Sequence, residues 1–139
     1  MIQLAHVATG ALVGRHARGS LDALLAGIAM HAAIDVIPHG EVHDEYLEMV
    51  TGAAGVLALA TRYGWTSPIT IGAIGGVMPD LEHLPQGIGR HVALFPTHRF
   101  AWLHGWEWKP LAAPAWLQAI VGGAVIGAFA AQLRRRATD

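Results

Sequence analysis

A chain of 139 residues fits one domain, since domains commonly run from about 100 to 200 residues, and residues 1–139 are read as a single helical domain. The chain is 53% hydrophobic and only 14% charged, with a mean hydropathy of +0.40, whereas ordinary soluble proteins carry about 25% charged residues, so a bilayer or an unusually dry core is expected. A net charge of −1 without a basic stripe excludes the electrostatic footprint of a nucleic-acid binder, and the absence of cysteine removes disulfides, thiolate nucleophiles and Cys-type zinc sites, leaving His, Asp and Glu to hold any metal.

The first apolar stretch runs from Ile2 to Gly14, with His6 alone on it. It lacks a basic n-region and a small-residue cleavage site, so it is expected to stay in the mature protein. Leu21 to Ile37 and Leu47 to Tyr63 follow, each close to the length that spans a bilayer, and then the shorter Pro68 to Met78. The first and fourth stretches, at about 20 Å of helix or less, would not cross a ~30 Å hydrocarbon core unaided. Leu111 to Leu133 does meet the roughly 20-residue length of a spanning helix, with Pro110 and Pro114 at its start and Arg134 to Arg136 at its end. The fold class expected is therefore all-α: a membrane-associated bundle of about five apolar helices, some too short to span alone. Many of the 17 glycines lie in these apolar runs beside alanine, where small side chains let helices approach closely.

If the five segments cross in turn, the connectors bearing Arg15 and Arg18, then Arg62, then Arg134, Arg135 and Arg136 fall on one side, which collects six of the nine basic residues. The positive-inside rule makes that side cytoplasmic, with the C-terminus. The other face receives Glu41, Asp44, Glu45, Glu48, Asp80, Glu82 and Glu107. Trp102, Trp106, Trp108 and Trp116 cluster around the start of the last helix and suit either a membrane interface or a tryptophan-rich core corner.

Three strings carry chemistry. In H31-A-A-I-D35-V-I-P-H39, His31 and Asp35 are four apart and share a helix face, and His39 follows Pro38 just past the helix end. A carboxylate deep in an apolar helix is costly unless paired or bound to a cation; the plain alternative is a His-to-Asp hydrogen bond tying helices together. In M78-P79-D80-L81-E82-H83 an apolar helix ends and delivers Asp80, Glu82 and His83 together; Asp80 suits either an N-cap or a metal ligand. In H98-R99-F-A-W-L-H104 two histidines flank an aromatic turn, and Arg99 suits a clamp on a phosphate or carboxylate or an ion pair with Asp80 or Glu82. The alternating topology sends His6, His39, Asp80, His83, His98 and His104 to one face. Such a set suits zinc, or a two-metal centre with manganese or iron. Hydrolysis is the natural reaction class, with Glu82 as a candidate general base. His16, His43 and His91 read as surface residues.

At these strings the chain resembles the membrane-bound metal-dependent hydrolase family, small bacterial inner-membrane proteins also described as LexA-binding hydrolases. The resemblance spans most of the chain and rests on His6 followed by Gly10, on the M78-P-D-L-E-H83 string and on His98-Arg99 with a second histidine nearby. It implies His6, Asp80, His83, His98 and His104 as metal positions and an inner-membrane hydrolase, and the alternating topology puts that site at the non-cytoplasmic face. His31 and Asp35 separately resemble the H-x-x-x-D pair of zinc-dependent phospholipases. The chain departs from the family's H-R-G-x-T-H-S pattern by reading H98-R-F-A-W-L-H104, and Glu82 stands where relatives carry Asp.

The function expected is a membrane-embedded, metal-dependent hydrolase acting on a small or lipid-linked phosphoester or other lipid-associated ester, with membrane lipid, membrane-protein partners or further copies of itself as neighbours. The competing readings are a non-catalytic subunit of a larger membrane complex, its histidines holding a structural metal, a haem or a pigment or only tying helices together, and a soluble bundle with an exceptionally apolar core.

Overall fold

The computed structural model describes residues 2–40, 42, 44–82, 94–100 and 112–131, and among them the only regular elements are helices. These are α1 (Gln3–Gly14), α2 (Ser20–Asp35), α3 (Glu45–Tyr63), α4 (Pro68–Val77), the short α5 (Pro96–Arg99) and α6 (Ala115–Ala131). Five match the apolar stretches of the sequence; α5 lies in the long connector that carried no expected element.

Local chemistry sets the boundaries. Asp44 caps α3 by accepting from the Leu47 amide at 3.0 Å, and Gly64, with φ of 86°, turns the chain out of it. Ser67 caps α4, and Pro68 occupies its first turn, where a missing N–H costs nothing. Pro79 then ends α4, because it has no N–H for the Gly75 carbonyl, and a 3-10 turn covers 79–82. The start of α1 has no side-chain cap of its own. Its first amides are met by other elements instead: Ile2 donates to Gln118 Oε1 at 3.1 Å and Gln3 to Glu48 Oε2 at 2.6 Å.

The centre of the bundle is α1, α2 and α4 packed on one another, with α3 and α6 laid against α1. Glycine makes the centre possible. A Cβ at Gly72 would overlap the Gly10 carbonyl, and one at Gly76 would overlap the His6 carbonyl, so these backbones touch where side chains would hold them apart. The apolar core of Val7, Ala8, Ala11, Leu59, Ala73, Ile126 and Phe129 fills the adjoining layer. Helix α1 runs antiparallel to α4: Gly14 lies against Pro68, and His6 against Gly76. The start of α1 and the ends of α2 and α4 therefore share one end of the bundle. Glu48 joins them there through its bond to Gln3.

Among the described residues the expected spanning length of the last segment is not reached. Residues 112–114 are extended, with Gly40 N donating to Ala113 O at 2.8 Å and Ala113 N to Pro38 O at 3.1 Å, so α6 starts only at Ala115. Its 17 described residues amount to about 26 Å. Leu111, Gln132, Leu133 and Arg134 to Arg136 lie outside the described residues. Among the described residues no helix is long and apolar enough to cross a membrane.

Candidate metal centre

Each functional side chain arrives at the shared end for a local reason. His6 sits in the first turns of α1 on the face that carries Gly10, which α4 covers. His31 and Asp35 are one turn apart at the end of α2. Asp80 lies in the turn that Pro79 forces on α4, and His98 in the single turn of α5, which Pro96 opens. His6, His31 and Asp35 are each 1% exposed, His98 4% and Asp80 12%, so all five are withdrawn from solvent.

Four donor atoms converge. His31 Nε2 and His98 Nε2 are 3.4 Å apart; Asp35 Oδ2 lies 3.0 Å from the first and 3.5 Å from the second; Asp80 Oδ1 lies 3.7 Å and 3.2 Å from them. Ligands at 2.0–2.1 Å from a tetrahedral ion must stand about 3.3 to 3.4 Å from one another. Within His31, His98 and Asp35, and within His31, His98 and Asp80, the separations bracket that value, and the donor chemistry, imidazole with carboxylate, is that of a zinc-type site. The residues therefore fit a divalent ion, and the groups His6, His31, Asp80 and His31, Asp35, His98 are each close enough to hold one.

The surrounding bonds aim these donors inward. His31 Nδ1–H donates to the Gly76 carbonyl at 2.7 Å. That carbonyl belongs to the last turn of α4, where helical partners run out, and because a carbonyl only accepts, it fixes the His31 tautomer with the proton on Nδ1. His98 Nδ1–H donates to Glu82 Oε1 at 2.5 Å, and Glu82 Oε2 accepts from the amides of Leu94 and Phe95 at 2.7 and 3.1 Å. Both histidines thus turn Nε2 toward the centre, in the carbonyl–histidine and carboxylate–histidine arrangements that orient metal ligands. Gln3 Nε2 donates to Asp80 Oδ2 at 2.7 Å.

Electrostatics point the same way. Burial works to lower the His98 pKa, but the carboxylates of Asp35, Asp80 and Glu82 overcome it and hold the group up to about 10. Burial pushes the Asp80 carboxyl up, yet the bond from His98 and the neighbouring His6 and His31 keep it below the usual carboxylate range. The carboxylates therefore draw a cation, and a proton on His98 and a divalent ion compete for the same oxygens.

Of the residues expected from sequence, His6, His31, Asp35, Asp80 and His98 are brought together. His39 is not: it is buried in the bridge to Ala113, with Nδ1–H donating to the Ile37 carbonyl at 2.7 Å, and it belongs to neither donor group. Glu82 is a candidate general base by sequence, but both of its oxygens hold protein groups, so the structure makes it the residue that positions His98. Arg99 is exposed, with its guanidinium 5.9 Å over the Phe100 ring. His16 is exposed as expected. His83, His104, His43, His91, Trp102, Trp106 and Trp108 lie outside the described residues.

Two glutamines escaped the sequence reading. Gln3 steadies Asp80, and Gln118 ties three segments, accepting from Ile2 N and donating to Gly40 O and Ala113 O at 2.9 and 2.8 Å. The available signal for Gln118 was its isolation as the one polar side chain of α6, buried to 6% exposure.

No protein-family model, no curated protein and no solved structure matches the chain.

Proposed function

We propose that the protein is a membrane-associated, metal-dependent hydrolase that acts on a phosphoester or other lipid-associated ester. The observation that carries this reading is the buried cluster in which the Nε2 atoms of His31 and His98, 3.4 Å apart, each lie 3.0 to 3.7 Å from an oxygen of Asp35 and of Asp80. Zinc is the first candidate, with manganese or iron as alternatives. A bound ion of this kind lowers the pKa of coordinated water and polarises a phosphoryl or carbonyl oxygen. The chain's own residues do the rest: Glu82 and the Gly76 carbonyl hold the histidines in register, Gln3 holds Asp80, and exposed Arg99, next to His98, binds the anionic group of the substrate by its planar fork. The motif resemblance to membrane-bound metal-dependent hydrolases agrees with this assignment.

Membrane association is supported by the outward faces of the bundle. Leu21, Leu25, Leu47, Val50, Leu57, Trp116, Ile120 and Val121 are all more than half exposed, an apolar surface that asks for lipid or a partner. Among the described residues Arg15, Arg18 and Arg62 flank α1, α2 and α3 at the end opposite the donors. In a bacterial inner membrane the positive-inside rule would put that end in the cytoplasm and the metal centre at the other face. An apolar cleft lined by Ile2, Leu4, Leu47, Thr51, Trp116 and Ala119 opens at the donor end and suits an acyl chain.

The test is elemental analysis of the purified protein together with turnover of a generic phosphodiester, for the parent and for Asp80→Ala and His98→Ala. Bound metal and turnover in the parent, both lost in the variants, is the result expected; a parent without metal overturns the reading. Burial of every donor also favours a second reading, a structural ion in a non-catalytic subunit, because structural sites are closed. Metal without turnover of any phosphodiester or ester would select it. Release by high salt without detergent would overturn membrane association.

A further inference from the structure

Beyond the Nε2 atoms of His31 and His98 and the carboxylate oxygens that face them lie one more buried imidazole, that of His6, and the second oxygen of each aspartate. His6 Nε2 lies 3.4 Å from Asp35 Oδ1 and 3.9 Å from Asp80 Oδ2. These are the oxygens opposite to the pair that faces His31 and His98, which is Asp35 Oδ2 and Asp80 Oδ1. Each carboxylate therefore shows one oxygen to His31 and His98 and the other to His6. The His6 ring is stacked on the His31 ring, centroids 4.0 Å apart and planes inclined by 22°, so the two Nε2 atoms stand side by side, one toward each oxygen of Asp35. Neither ring nitrogen of His6 meets a hydrogen-bond partner of proper geometry, although the side chain is 1% exposed. A buried imidazole left in that state is costly unless something else fills its lone pair.

We infer that the site holds two divalent cations, the second seated between His6 Nε2, Asp35 Oδ1 and Asp80 Oδ2, with Asp35 and Asp80 bridging it to the first. This rests on the metal-dependent reading above and deepens it. Two-metal hydrolytic sites use such pairs to clamp the attacking and leaving oxygens of an in-line displacement from both sides, an arrangement that suits a phosphate ester as the substrate class. The bond from Gln3 to Asp80 Oδ2 fits the same picture, since a carboxylate oxygen has lone pairs for both an amide and an ion. A single ion reached by all five side chains would instead leave the divided orientation of the two carboxylates without a purpose.

The experiment is Mn2+ loading of the full-length protein in detergent, with excess metal removed by gel filtration, metal per chain counted by elemental analysis, and spin coupling read by electron paramagnetic resonance. Two ions per chain with a coupled signal are expected for the parent. His6→Ala should hold one ion with the signal of isolated Mn2+; His6→Gln, which keeps a polar side chain of similar reach, serves if circular dichroism shows the alanine variant unfolded. One ion in the parent overturns the second site and leaves the metal-dependent hydrolase standing. Two ions in a folded His6 variant also overturn it. No ion in the parent overturns both readings at once.

Discussion

Where α1, α2 and α4 meet, backbone lies on backbone: Gly10 against Gly72, Gly27 against Gly72 and Gly75, Gly76 against His6. Where α3 and α6 lie on α1, side chains do most of the packing, with Leu59, Ile126 and Phe129 turned in and Leu47, Val50, Ile120 and Val121 left exposed, and only Gly122 comes near backbone, 3.0 Å from its Cβ position to the Leu4 carbonyl. The first contact tolerates no added atom, and the second has room to shift. The donor atoms ride on the rigid trio together with the turns that follow α4, which is where sub-ångström placement matters for a metal. The outer pair presents the surface proposed to meet lipid.

The sharpest way to break that contrast is to add a Cβ to each region. Gly76→Val is expected to part α4 from α1 and cost about 3 kcal/mol or more, with loss of bound metal, because overpacking against backbone cannot relax. Gly55→Val on α3, where the Cβ would meet only the side chains of Val7, Ile126 and Leu4 at 3.1 to 3.2 Å, should cost about 1 kcal/mol, because those side chains can give. Denaturant unfolding of the two variants side by side decides it, and equal costs would refute the contrast.

Gln118→Leu comes next. It removes a bond accepted from Ile2 and two donated to Gly40 and Ala113, leaving the buried Ile2 amide unmet at about 1–3 kcal/mol and untying the half-buried Gly40 carbonyl, while Ala113 O keeps the Gly40 amide. A drop of roughly 3 kcal/mol in unfolding free energy is expected; a neutral result would show that α6 is held without this lock.

Glu82→Gln tests positioning. It keeps the shape but weakens the charge behind His98, and the loss of such an outer partner lowers metal affinity about 10- to 100-fold. Competition with a chelator reads it, and unchanged affinity would return Glu82 to other roles.

The sign of one pH effect follows from His98. Its folded pKa of about 10 lies above the ordinary histidine value of 6.5, so the stabilisation is complete below 6.5 and is lost as pH rises through 10. Chelator-treated protein should melt at progressively lower temperature from pH 7 to pH 10, and the His98→Gln variant should lack that slope. A flat profile in the parent would contradict the carboxylate cage.

The smallest effect belongs to the outer layer. Tyr63→Phe deletes the bond to the Phe129 carbonyl at 2.5 Å and should cost about 1 kcal/mol without touching metal content.

Much of this was legible in the residues. Apolar runs bounded by Ser, Asp, Gly and Pro located five helices, because helix boundaries are written in local chemistry. His31 and Asp35 were readable as a pair from their spacing, and Asp80 from its place after Pro79. His39 misled because adjacency to a helix end says nothing about which way the chain turns next; the bridge to Ala113 carries it away from the donors. Glu82 misled because its partners, His98 and the amides of Leu94 and Phe95, are more than ten residues away.

The sequence by itself determined the helices and the restriction of any metal to nitrogen and oxygen donors. Only the tertiary structure decided that His6 joins His31, that the two aspartates each face two ways, and that the Gly76 carbonyl in the last turn of α4 orients a histidine from another helix. The physical reason is that composition and periodicity act within a turn or two of chain, whereas ligand geometry depends on how closely separate backbones can approach. Here the glycines of α1, α2 and α4 set that distance.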